Sequence, residues 1–258
     1  MLDDLIQLVP NSQVTFVATN VGAARVAGVR RVVHTSSVAA LGIPEPGRRN
    51  GRGLLTENHA WNYRPDLWPY GYAKYLAEQE VQRAISLGQD VVIVNPSLVY
   101  GPGDIYRQAS SPIVQVARQK LPFITEAGVN IVHIEDVVAG HLAALERGKR
   151  GERYILGGEN LTIEQVVSLM AELAGVPAPN LMLPPRLVHG LSRLAGVLSM
   201  PLGVSELRLA GYYFYYEIKK AQRELGLGQA KSARQAIGDA LNWFEAAGAV
   251  KLKKPAAA

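Results

Sequence analysis

The 258-residue sequence contains no cysteine. That excludes a disulfide framework, a thiolate metal site and a cysteine nucleophile, and it suits a reducing cytoplasm without demanding one. The five histidines, His34, His59, His133, His141 and His189, show no metal-site spacing, so no metal is expected. No run of about 18 uncharged apolar residues is present, so no integral membrane segment is expected. The nearest candidate, residues 187–204, contains His189, Arg193 and Pro201 and reads as a buried or pocket-lining helix pair. The first residues, Met1-Leu2-Asp3-Asp4, carry acid where a secretory signal carries base. Internal repeats are lacking, as is low complexity beyond the final alanines. An excess of charge is also missing: the net charge is only +5. The one basic cluster, Lys251-Leu252-Lys253-Lys254, reads as a solvated terminus rather than a nucleic-acid patch. A cytoplasmic protein acting on a small molecule, with a homodimer as one possible assembly, is the resulting expectation.

What is present is an ordinary globular composition, 48% hydrophobic and 19% charged. Short β-branched runs at residues 14–18, 30–35 and 90–95 read as buried strands. They alternate with helices, one closed at Gly28 and one opening after Trp68-Pro69. The second places Ala73, Leu76, Ala77, Ala84 and Ile85 on an apolar face and stops at Gly88. Residues 42–58, rich in Gly, Pro and Arg, form a surface loop. This alternation predicts an α/β doubly wound parallel sheet. Further on, Ser111-Pro112 opens a helix, Asp136 caps one reaching Arg147, and residues 154–156 form a short strand. Thr162 to Gln165 and Ser232 to Gln235 have capping-box chemistry. The run Tyr212-Tyr213-Phe214-Tyr215-Tyr216 alternates between two faces, as a half-buried strand or as the wall of an aromatic-friendly pocket.

The chemistry concentrates in Pro69-Tyr70-Gly71-Tyr72-Ala73-Lys74. Tyrosine and lysine four positions apart share one helix face. A phenol has an ordinary pKa of about 10, and a neighbouring ammonium favours its anionic form, which fits it for proton transfer to a substrate oxygen. A strand-end hydroxyl from Thr35-Ser36-Ser37 can face the pair. Spacing alone is weak, since Tyr215/Lys219 and Tyr216/Lys220 repeat it without such a strand.

Six segments set the first pair apart, and they occur in this order. They are Val32-Val33-His34-Thr35-Ser36-Ser37, Tyr70-Gly71-Tyr72-Ala73-Lys74, residues 95–104 from Asn95-Pro96-Ser97 to Gly103-Asp104, Val132-His133-Ile134-Glu135-Asp136-Val137, residues 151–160, and Ala221-Gln222-Arg223-Glu224-Leu225-Gly226. The series resembles the extended short-chain dehydrogenase/reductases, the NAD-dependent epimerase/dehydratase superfamily. Within it the likeness is to dihydroflavonol-4-reductase-like proteins and hopanoid-associated sugar epimerases. The resemblance implies a Rossmann-like fold, NAD or NADP as cofactor, and hydride transfer to or from a secondary alcohol or ketone. It implies Ser37, Tyr70 and Lys74 as catalytic residues. Thr35, Ser36, Tyr70, Lys74, Asn95, Pro96 and Ser97 would contact the cofactor, and Tyr100, Asp104 and His133 would lie on the substrate side. A histidine beside an apolar run is, however, more often a satisfied core residue.

The resemblance also implies a glycine-rich turn between a first strand and helix to hold the cofactor pyrophosphate, and no segment here matches it. The expected sheet is therefore N-terminally incomplete. Residues 1–96 and 131–158 would form a partial Rossmann-like domain, residues 97–130 and 159–250 a smaller α+β substrate domain, and residues 251–258 a tail. Three functional readings follow: a nicotinamide-dependent reductase or epimerase, a truncated non-catalytic relative, or a scaffold protein.

Overall fold

A computed structural model describes residues 20–45, 53–105, 111–197 and 207–252. The expected strand at 14–18 and most of the expected tail lie outside the described residues. The run Asp-Val-Val-Ile-Val-Asn-Pro has no polar alternation, which marks a strand covered on both faces. It forms β2 (Asp90–Pro96), in which every residue after Asp90 is buried. β1 (Arg31–Thr35) pairs with it in parallel, from Arg31 opposite Asp90 to Thr35 opposite Val94. β6 (Arg153–Leu156) pairs in parallel on its other side, from Ile93 opposite Arg153 to Pro96 opposite Leu156.

Side chains on a strand point alternately to opposite faces, and β2 uses both. Val91 and Ile93 pack against Val81 and Ala84 of α2 (Pro69–Ser86) and Val21 of α1 (residues 20–26). Val92 and Val94 pack against Val137, Ala143 and Ala144 of α4 (Ile134–Arg147), with Ala221 and Leu225 of α7 (Lys219–Leu225) beyond. Helices on both faces of a parallel sheet make the doubly wound arrangement that the sequence pattern predicts. The far edge of β6 is closed by a side chain: buried Glu57 accepts the Ile155 N–H at 3.0 Å.

The start of α4 differs from expectation. The helix begins at Ile134, and its cap is His133, whose Nδ1 accepts the Glu135 N–H at 3.0 Å; Asp136 lies inside the first turn. The imidazole reaches the first turn from the end of a strand, three residues before the Asp that sequence rules favour.

Around this core sits a second group of elements. β3 (Leu98–Tyr100) runs parallel to β5 (Gly128–His133), and β7 (Glu159–Thr162) runs antiparallel to β5. β4 (Ile124–Thr125) and β8 (Met182–Leu183) form a short parallel pair. Four helices complete it: α3 (Pro112–Ala117), α5 (Ile163–Ala174), α6 (Pro185–Val197) and α8 (Ala233–Ala246). The capping box of α5 is complete, with Thr162 and Gln165 exchanging side-chain bonds of 3.1 and 2.9 Å. Ser232 caps α8 through the Gln235 N–H. Ile113, Ile131, Met170, Ile237, Leu241 and Phe244 fill the space between these elements. Among the described residues no helix is long and apolar enough to cross a membrane.

One junction between β6 and β7 is sterically tight. Gly158 exchanges hydrogen bonds with the Asn130 side chain, and a Cβ there would stand 2.3 Å from the Ile131 carbonyl oxygen. The backbone would have to move, so Gly158→Ala is expected to destabilise the fold by about 1–3 kcal/mol. Urea denaturation followed by circular dichroism checks this, and an unchanged midpoint would contradict the close approach.

Candidate active site

Parallel strands collect ligands at their carboxyl ends. At the end of β1 the chain passes from Ser37 into a buried 3₁₀ turn, Val38–Leu41. Ser37 Oγ accepts the Ala39 N–H at 3.2 Å, and the Ser37 carbonyl accepts the Ala40 N–H at 3.0 Å. The first turn of α2 lies directly on this turn. A Cβ on Gly71 would sit 2.7 Å from the Trp68 indole and 3.0 Å from the Ala39 carbonyl oxygen, so only glycine permits the approach.

The approach brings Tyr70 and Lys74 to the strand end. Lys74 Nζ lies 5.8 Å from the centroid of the Tyr70 ring, and Tyr70 is 46% exposed. Burial lowers the Lys74 pKa, and no ion pair engages its ammonium among the described residues. Its charge is felt by His34 on β1, whose pKa is pushed down to about 4 by burial first and Lys74 second. Ser37, Tyr70 and Lys74 thus share one neighbourhood at the tips of β1 and β2. Ser36 and Ser97 flank it, each with a buried hydroxyl that has no hydrogen-bond partner among the described residues. Pro96 is buried at the last paired position of β2.

Four expected contacts depart from this cluster. Thr35 points to the opposite face of the sheet, as alternation from Ser36 requires. There its hydroxyl meets His141 Nε2 of α4 at 2.8 Å; His141 Nδ1 donates to the Val137 carbonyl, which leaves Nε2 to accept. Asn95, expected to touch the cofactor, is fully buried, and both protons of its amide are committed. Nδ2 donates to the Ser37 carbonyl at 2.8 Å and to Glu78 Oε1 at 2.7 Å. His133 is also fully buried; Nδ1 caps α4 and Nε2 lies 3.1 Å from Asp239, so neither nitrogen is open to a substrate. Tyr100 is buried in the core with Ile113 and Ile131, opposite His133 on β5. Asp104 is half-buried in the following loop.

Glu78 went unrecognised in the sequence. The signal was its position on the Tyr70 and Lys74 face, one turn past Lys74, where a charge interrupts apolar residues. It is 3% exposed and its second oxygen accepts Arg153 Nη1 at 3.3 Å.

The aromatic run divides between two faces, as alternation predicts, although it forms no named strand and its ladder pairing is confined to isolated bridges, Tyr213 with Gly128 and Tyr216 with Leu55. Tyr213 and Tyr215 pack over Gly128. On the other face Phe214 lies 5.1 Å from Trp68, which lies 6.2 Å from Tyr70, and Tyr212 stands 6.5 Å from Phe214. Burial and a hydrogen bond with Tyr63 push the Tyr212 pKa up to about 12. The other Tyr-x-x-x-Lys pairs are structural: the Tyr216 hydroxyl is buried without a partner, and Lys220 binds Glu152 and the Arg153 carbonyl. A pocket of about 80 Å³ between α4 and α7, lined in part by Asp136, Leu156 and Gln222, lies away from Tyr70 and offers no comparable set of groups. No cluster able to hold a metal ion occurs among the described residues.

Among the described residues, a half-buried ammonium without a counter-carboxylate, a phenol beside it and two unpartnered hydroxyls at strand tips fit the nicotinamide and ribose end of a dinucleotide. Fold and site together define a Rossmann-like dinucleotide-binding protein. Comparison with known proteins narrows the class: the NAD dependent epimerase/dehydratase family matches residues 9–157. A putative dihydroflavonol 4-reductase of Synechocystis sp. is 37% identical over 239 residues, spanning 88% of this chain and 68% of that protein. Sterol demethylase protein B of Methylococcus capsulatus is 34% identical over 236 residues, spanning 88% and 70%. The crystal structure of gox2253 superposes with a TM-score of 0.73 at 33% identity, covering 93% of this chain and 76% of that one. The chain belongs to the NAD dependent epimerase/dehydratase family, and nicotinamide cofactor use comes with that membership.

The depressed His34 pKa makes a pH prediction. The unfolded chain takes up this proton near pH 6.5 and the folded chain only near pH 4, so stability falls as pH drops between these values. His34→Gln should flatten that part of the melting-temperature profile. An imidazole resonance lost in His34→Gln that titrates near 6.5 in the parent protein would contradict the burial.

Proposed function

We propose that this protein moves a hydride between a nicotinamide cofactor, NAD or NADP, and a secondary alcohol or ketone. The close packing of the turn after Ser37 against the helix turn that carries Tyr70, with Lys74 beside it, supports this reading. A bound nicotinamide supplies or accepts the hydride. The protein's part is the proton: Tyr70 delivers it to the substrate oxygen during reduction and removes it during oxidation. Ser37 hydrogen-bonds the same oxygen, and the Lys74 ammonium attracts the negative charge that develops on the tyrosine oxygen. Lys74 would also hold the ribose hydroxyls, offsetting the cost of its burial, and Ser36, Pro96 and Ser97 would lie on the nicotinamide side of the site.

For substrate, we favour a flat, dihydroflavonol-like ring compound over a nucleotide sugar. Trp68 and Phe214, with the buried Tyr212 next to Phe214, form a partly exposed aromatic edge continuing from Tyr70, suited to ring stacking. The Synechocystis relative carries the name of a reductase of such ring compounds. The non-catalytic alternative draws support from none of these observations.

Incubation with NADPH or NADH and either dihydroquercetin or UDP-glucose, followed at the nicotinamide absorbance, tests the reading. Turnover of dihydroquercetin is expected. Tyr70→Phe should lower kcat by about 100-fold or more with unchanged circular dichroism. A Tyr70→Phe protein as fast as its parent removes the phenol from the mechanism.

A further inference from the structure

We propose that Glu78 and Asn95 are positioning residues, a brace that fixes the Ser37 turn relative to Tyr70 and Lys74. The proposal rests on the reading of Ser37, Tyr70 and Lys74 given above. Tyr70, Lys74 and Glu78 occupy successive turns of α2, four residues apart, and so form one column facing the strand tips. The carboxylate at the base of the column is almost completely buried and reaches across to β2. Asn95 there spends one amide proton on Glu78 and the other on the Ser37 carbonyl. One planar side chain thereby joins the helix that carries the phenol and ammonium to the strand end that carries the hydroxyl.

The amide orientation is not arbitrary. A carboxylate and a carbonyl are both acceptors, so the group between them must be the NH₂. Arg153 of β6 binds the second Glu78 oxygen at 3.3 Å and so helps fix the orientation of the carboxylate. Breaking this arrangement leaves a buried donor or acceptor unmade. The Ser37 carbonyl would then retain only the Ala40 N–H of its own turn. Stability alone does not account for the geometry, because a helix–strand link needs only the bond between Glu78 and Asn95. The second proton, aimed at Ser37, is what places the catalytic hydroxyl.

A charge swap separates the two roles. In Asn95→Asp two carboxylates abut, and both links fail. Adding Glu78→Gln lets the glutamine amide donate to the new aspartate while its oxygen accepts from Arg153, so the helix–strand link returns with reversed polarity. The link to Ser37 does not, since an aspartate has no proton to give. Hydrogen exchange of the intact protein reads this directly. In Asn95→Ala, Glu78→Ala and the swapped double variant, amides in residues 38–41 should exchange about 10-fold faster while those in residues 163–174 keep their parental rates. The swap should regain most of the melting temperature lost in Asn95→Asp without regaining protection at 38–41. Where dihydroquercetin is turned over, kcat should fall about 10-fold with KM within about twofold.

Exchange that rises evenly along the chain, or protection at 38–41 that recovers together with stability in the swap, overturns the brace. Unchanged exchange at 38–41 in Asn95→Ala does the same. A failed mechanism is distinguishable from a failed brace. Tyr70→Phe with parental turnover defeats the mechanism alone, and the exchange pattern still decides whether Asn95 holds Ser37.

Discussion

The site depends on how closely a helix can approach a turn. With no side chain at Gly71, the first turn of α2 rests on the Ala39 carbonyl, and the Trp68 indole fills the space a methyl group would take. That contact fixes where Tyr70 and Lys74 stand, because a helix places its later residues once its first turn is set. It also explains why the pair is half-exposed although the residues around it are buried. The phenol sits on the rim of the approach, and the ammonium lies one turn deeper.

Behind the contact stands β2. Its alternating side chains tie two helical layers together, and each fully buried Val or Ile contributes roughly 1.5–3 kcal/mol to holding them. The same strand ends in Asn95, Pro96 and Ser97, so the most stable element of the sheet is continuous with the site. The strand tip is therefore held in place for the same reason the core is. Among the described residues, polar groups there either have their protons committed, as at the Asn95 amide nitrogen, or are buried without partners, as at Asn95 Oδ1 and the Ser36 and Ser97 hydroxyls.

Much of this was legible in the residues themselves. Unbroken β-branched runs marked β1 and β2, and Tyr70 with Lys74 marked a helix face whose neighbours matter. The capping chemistry at Thr162 and Ser232 located the starts of α5 and α8. What stayed hidden depends on which way a side chain turns between neighbours far apart in sequence. Thr35 faces away from the site by strand alternation, yet Thr35-Ser36-Ser37 reads as one hydroxyl cluster. His133 is a helix cap in the structure and resembles a site histidine in the sequence. Asn95 reads as a contact to ligand because motifs record residue types and omit which protons are already used. The mixed sheet of β3, β5 and β7 was also missed, since β3 and β7, of three and four residues, carry too few positions to show a period.

The Glu57 carboxylate on the outer edge of β6 bears on how copies of this protein can associate. Exposed strand edges are templates along which another chain can add, and proteins that stay dispersed must obstruct them. Here the obstruction is an acid group already bonded to the Ile155 amide. An incoming strand would have to expel that anion from a buried position and supply its own carbonyl in the same place. Extension of the sheet by strand addition is thus blocked on that side, and assembly across this boundary has to use side-chain surfaces instead.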